Sequence, residues 1–140
     1  MITRVDHIGV AVRDLEAAAA AFAAILGRPA ERVEALPGMG VRIAFFPLAG
    51  GEIELVEGTD PAGSIARFLA ARGEGIHHLC CEVEDLQAAI DRLHAAGVPM
   101  VDRVPRDGGG GTRVAFLHPK GTGGALLELC ERPREGQGRP

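Results

Sequence analysis

Between Val5 and Val12 the chain alternates. Ile8, Val10 and Val12 fall on one face of an extended strand, and His7, Gly9 and Ala11 on the other. The period then changes. Asp14 stands where a helix N-cap should be, and Leu15, Phe22 and Ile25 or Leu26 form an apolar stripe through an alanine-rich run. Gly27 and Pro29 end that helix. Strands are expected at Arg32 to Leu36, at Val41 to Leu48 and, after the Gly50-Gly51 turn, at Glu52 to Glu57. On the last of these, Glu52, Glu54 and Val56 share one face.

Much of this pattern occurs twice. Shifted by 71 residues, Val5 to Ala18 falls on Ile76 to Ala89, with six identical pairs among fourteen. Arg42 to Phe46 falls on Arg113 to Leu117 at the same offset, and Ile53 to Glu57 falls on Leu127 to Glu131 once a longer turn is allowed. An ungapped self-match of this length marks an internal repeat. The second copy predicts a strand over Ile76 to Val83, a helix capped by Asp85 with Leu86, Ile90 and Leu93 as its stripe, and strands at Val98 to Val104, Thr112 to Leu117 and Ala125 to Cys130. A short helix, Ser64 to Ala70, lies in the linker between the copies. The fold class expected is α+β. Two paired βαβββ modules, about 1–58 and 74–132 with a linker helix at about 60–73, would form one domain with a curved, cup-shaped mixed sheet and its helices outside; residues 133–140 are expected to be disordered.

Composition narrows the functional classes. A net charge of −4 and five aromatic residues, all Phe, give neither a basic footprint nor a stacking surface for nucleic acid. No apolar run reaches membrane-spanning length, and the first residues lack a leader pattern. Cys80, Cys81 and Cys130 form no Cys-x-x-Cys pair and read as reduced thiols. A soluble, cytoplasmic protein is expected.

The repeat also pairs His7 with His78, and Glu54 with Glu128. Each module thus offers one histidine on its first strand and one glutamate on its last, on the face away from the apolar stripe. Two imidazoles and two carboxylates suit a divalent transition metal, and an octahedral ion so held keeps positions for substrate oxygens. His77 faces the other way and reads as structural or loop-facing. Cys80 shares the face of His78 and reads as a small buried hydrophobe. The glycine run Gly108 to Gly111 is a weak phosphate signal, since no P-loop lysine accompanies it.

Six segments carry a family resemblance: Asp6 to Val12, Glu52 to Leu55, Ser64 to Leu69, Gly75 to His78, Phe116 to Lys120 and Gly124 to Leu129. With them the chain resembles the vicinal oxygen chelate superfamily (glyoxalase/bleomycin resistance-like) and, within it, the methylmalonyl-CoA epimerases. The resemblance implies an isomerase that interconverts (2R)- and (2S)-methylmalonyl-CoA, through a metal-stabilised enolate, in propionate metabolism. It implies a metal held by His7, Glu54, His78 and Glu128: Co²⁺ first, with Mn²⁺, Ni²⁺, Fe²⁺ and Zn²⁺ as alternatives. A homodimer acting on a small acyl-CoA is also implied. Inversion needs an acid/base group on each face of the carbon. Glu128 is the candidate for one. For the other, some relatives place a glutamate where this chain has Ile43; Glu52, or a water held by a ligand carboxylate, is the substitute. Lys120, Arg113 and His118 are the candidates for contacts to the CoA end. Another metal enzyme of the fold, such as glyoxalase I (lactoylglutathione lyase) or an extradiol dioxygenase, and a metal-free binding protein are the alternatives.

Overall fold

The computed structural model describes residues 1–134, so most of the expected C-terminal tail lies outside the described residues. Eight strands and three α-helices are present: β1 (Ile2–Val12), α1 (Leu15–Leu26), β2 (Arg32–Leu36), β3 (Val41–Leu48), β4 (Gly51–Gly58), α2 (Ser64–Arg72), β5 (Gly75–Val83), α3 (Leu86–Ala95), β6 (Arg106–Asp107), β7 (Arg113–Phe116) and β8 (Leu127–Glu131). No helix among the described residues is long and apolar enough to cross a membrane. The chain divides into two compact units, His7–His77 and Met1–Asp6 together with the chain from His78 onward. The division therefore cuts through β1 rather than through the linker.

In the His7–His77 unit the strand order is β2-β3-β4-β1, antiparallel except for the parallel pair β4–β1. Helix α1 starts where expected: the Asp14 carboxylate accepts from the Ala17 N–H at 3.0 Å. It ends on Gly27, whose left-handed φ of 75° suits a residue without a Cβ. Leu15, Phe22 and Leu26 pack with Val12, Phe46 and Leu55 on one face of the sheet, while Ile25 is 74% exposed and is not part of the stripe. The opposite face is also apolar for half its length. Ala11, Val41, Ile43, Phe45 and Val56 close against Ile65, Phe68 and Leu69 of α2. The face reserved in the sequence for chemistry thus holds a second core, because the linker helix folds back over it.

The other unit repeats the plan. Its order is β6-β7-β8-β5, with β8–β5 parallel and the other pairs antiparallel. The Asp85 carboxylate caps α3 through the Ala88 N–H at 2.9 Å. Leu86, Ala89 and Ile90 bury against Val83, Ala115, Leu117 and Leu129, with Leu93 partly buried beside them. Cys80, Val114 and Cys130 form a small cluster on the opposite face. The N-terminal half of β1 belongs to this unit, where Thr3 Oγ1 donates to the Glu82 carbonyl at 3.3 Å and Arg4 Nε to the Glu82 carboxylate at 2.7 Å.

One expected strand is absent. Val98 to Val104 reduces to a single bridge between Met100 and Leu117, and the edge strand forms later, as β6. The cause is local. Pro99 has no N–H to give, and the Val101 and Asp102 N–H groups both donate to the Phe116 carbonyl, at 2.9 and 3.2 Å, so the ladder does not advance.

Candidate metal and substrate site

In the His7–His77 unit four strands present one continuous row: Gly9, Glu54, Phe45 and Arg32 are successive cross-strand partners. His7 and Glu52 are partners in a neighbouring row on the same face. His7 and Glu54 are 8% and 5% exposed, and His7 Nε2 lies 2.6 Å from Glu54 Oε2. That approach is not aligned as a hydrogen bond, and Glu54 Oε2 is buried without accepting one. A carboxylate oxygen shut away from water and beside an imidazole nitrogen, with no proton directed at it, has the chemistry of a cation ligand.

The other unit carries the equivalent row, Cys80, Glu128 and Phe116. His78 and Glu128 are 8% and 6% exposed, with His78 Nε2 3.2 Å from Glu128 Oε2. The His78 ring stands edge-on to Phe116, its centroid 5.8 Å away. This packing restricts the rotation of the imidazole. In both units a guanidinium lies over that aromatic ring: Arg32, the register partner of Phe45, is 3.8 Å from its centroid, and Arg106, from a neighbouring row, is 5.7 Å from that of Phe116. The repeat thus extends from sequence to side-chain geometry: histidine, glutamate, phenylalanine and arginine occur in both units.

Glu52 is half-buried, on the face of Glu54 and in register with His7 and Pro47. Ile43 is buried in the apolar cluster under α2, so no carboxylate stands there. His118 is exposed, and its Nδ1 accepts from the Lys120 N–H at 3.2 Å, capping the turn Pro119–Gly121. Lys120 is exposed in that turn. Arg113 is the register partner of Glu131 and so lies on the α3 face of the sheet, opposite the face of Glu128. His77 packs edge-on to Phe68 at 5.0 Å, and burial lowers its pKa. Cys80 is fully buried, and its thiol is pushed far up, first by a hydrogen bond to Cys130, then by burial and the Glu128 charge. It stays protonated, as a small core residue.

One feature is missing from the sequence-based reading. Asp6 is 1% exposed, and Arg132 grips it with two hydrogen bonds of 2.7 and 2.9 Å, while Arg4 adds a third at 3.1 Å. The signal was present: Asp6 interrupts an otherwise apolar strand face, immediately before His7.

Residues 6–116 match the Glyoxalase/Bleomycin resistance protein/Dioxygenase superfamily, and that match sets the class of the fold. Over 131 residues the chain is 43% identical to the ethylmalonyl-CoA/methylmalonyl-CoA epimerase of Cereibacter sphaeroides, covering 92% of this chain and 98% of that protein. It superposes on the crystal structure of methylmalonyl-CoA epimerase from Mycobacterium tuberculosis with a TM-score of 0.90 and 38% identity, over 96% of this chain and 91% of that one. A methylmalonyl-CoA epimerase in complex with methylmalonyl-CoA and NH4+ gives 0.89 and 32%, over 96% and 97%. The chain belongs to this superfamily and, within it, to the methylmalonyl-CoA epimerase family.

Proposed function

We propose that the protein is a metal-dependent epimerase that interconverts the (2R) and (2S) forms of methylmalonyl-CoA by moving the α-proton. The observation that carries the reading is the buried His–Glu pair found once in each unit, His7 with Glu54 and His78 with Glu128. These four residues are the proposed ligands of one divalent ion. Two buried imidazoles and two buried carboxylates, one of whose oxygens accepts no hydrogen bond, are donors of the kind such an ion takes, and the proposed metal is Co²⁺, with Mn²⁺, Ni²⁺, Fe²⁺ or Zn²⁺ as alternatives. When bound, the ion would act as a Lewis acid on the substrate's carboxylate and thioester oxygens.

The chain's own residues supply the proton transfer. Glu128 takes the α-proton of one enantiomer on its own face of the carbon, and a proton is delivered to the opposite face, so that the configuration inverts; for the other enantiomer the two roles exchange. Glu52 is proposed for the opposite face; its half-buried position in register with His7 supports this, and the apolar surroundings of Ile43 exclude that position. The apolar cluster around Phe45 and Val56 keeps water from one side of Glu54, which strengthens every electrostatic contact made there. Lys120, His118 and Arg113 are proposed for the CoA end. The reading includes a homodimer working in the cytoplasm on a small acyl-CoA.

Deuterium incorporation at the α-carbon of methylmalonyl-CoA, followed by mass spectrometry with and without a chelator, tests the proposal. Exchange of both enantiomers that stops on chelation and returns with metal is expected. No exchange by metal-loaded protein would refute it.

A further inference from the structure

We infer that Asp102 is a positioning residue for His78, acting through Phe116 and Arg106; the inference rests on His78 being a metal ligand, as in the reading above. Asp102 holds Phe116 at two points. Its N–H donates to the Phe116 carbonyl at 3.2 Å, and its carboxylate accepts the Phe116 N–H at 2.9 Å. Strand β6 pairs only with Val114 and Arg113, so it stops short of Phe116. One aspartate therefore supplies both hydrogen bonds that an antiparallel partner would have exchanged there. Its side chain is only 13% exposed, which limits the competition of water for the Phe116 N–H.

The same carboxylate oxygen accepts from Arg106 Nη2 at 3.1 Å. The guanidinium so held lies over the Phe116 ring, 5.7 Å from its centroid and within cation–π reach. The ring in turn meets the His78 imidazole edge-on, at 5.8 Å and 83°, a favoured geometry for such pairs. A histidine on a strand keeps only its two side-chain torsions free, and the phenyl ring restricts them. His78 Nε2 is thereby kept 3.2 Å from Glu128 Oε2, and Glu128 is itself the register partner of Phe116. A ligand oriented before the ion arrives has less freedom to lose on binding it.

The His7–His77 unit reaches the same end by another route. Glu31 precedes Asp102 by the repeat offset of 71, and its N–H donates to the Phe45 carbonyl at 2.8 Å. Its carboxylate lies 3.3 Å from Arg32, whose guanidinium covers the Phe45 ring. There, however, β2 pairs with Phe45 directly, through Arg32, and the Glu31 side chain is 60% exposed. The ladder fixes Phe45; a carboxylate fixes Phe116.

Calorimetric titration of the metal-free protein with Co²⁺ is the test, because it needs no turnover. Asp102→Ala should weaken Co²⁺ binding about tenfold or more, the range for partners that orient a metal ligand. Asp102→Asn keeps an acceptor for the Phe116 N–H but loses the charge that holds Arg106, and should weaken binding by a smaller factor. Arg106→Gln should also weaken it, and Arg106→Lys, which keeps a cation, should restore it. Glu31→Gln should bind Co²⁺ as the wild type does. A purely structural Asp102 would lower Tm and leave the affinity of the folded protein alone. Wild-type affinity in folded Asp102→Ala, or equal losses in Asp102→Ala and Glu31→Gln, would therefore overturn the assignment. Should Asp102→Ala not fold, wild-type affinity in both Asp102→Asn and Arg106→Gln would overturn it. If the wild-type protein binds no divalent metal, the reading of His78 as a ligand fails instead. The ring-proton chemical shifts of His78, which sense the neighbouring phenyl ring, then test the positioning alone, and shifts unchanged in Asp102→Asn and Arg106→Gln would reject it.

Discussion

Glu131 accepts a 2.7 Å hydrogen bond from the backbone N–H of Leu86, the first residue of α3. Glu57 does the same for Leu15, the first residue of α1, also at 2.7 Å. Each capping glutamate stands three residues after a ligand candidate, Glu128 or Glu54, and points to the opposite face of its strand. One strand therefore presents a carboxylate to the site and ties down a helix on its other side. Glu131→Ala should lower stability by about 1–2 kcal/mol, the usual cost of losing a helix cap with its charge–dipole attraction. Glu131→Gln, which retains an acceptor, should lose less. Thermal unfolding checks the order, and both variants should still bind metal at wild-type stoichiometry.

His78→Ala should remove most of the bound metal. The imidazole lies on a β-strand, which fixes its direction, and the ring packed edge-on against it is that of Phe116, which offers no ligand atom in its place. Metal analysis of the purified variant measures the loss. Stoichiometric metal with full activity would remove His78 from the ligand set.

Glu52→Gln should leave the metal in place and block inversion. Exchange of the α-proton should survive in one enantiomer, since Glu128 acts from its own face. General acid/base groups contribute about 10²–10⁴ in rate, so the defect should be large. Equal loss of exchange from both enantiomers would point to damage at the metal, and wild-type inversion would exclude Glu52.

Lys120→Ala should raise KM for methylmalonyl-CoA while leaving kcat in place, since the residue is exposed on a turn and is no part of the buried His–Glu pairs. His118→Ala should loosen the same turn by deleting the acceptor for the Lys120 N–H. Steady-state kinetics separate the two effects, and an unchanged KM in both variants would take this turn out of the substrate path.

The sequence by itself determined the elements and their duplication. Alternation in β1 and β5, the Asp14 and Asp85 caps, and the glycine after α1 are local signals, each set within a few residues, and the structure places them where the pattern did. It also paired His7 with His78 and Glu54 with Glu128, because a repeat transfers position without any knowledge of contacts. What only the tertiary structure decided depends on neighbours distant in the chain. Helix α2 turned half of the His7 face into core, and Asp6 found Arg132 from 126 residues away. Val98 to Val104 stayed out of the sheet for the same reason. A strand exists only where a partner's ladder accepts its N–H groups, and no property of that segment alone could show that Phe116 would take two of them at once.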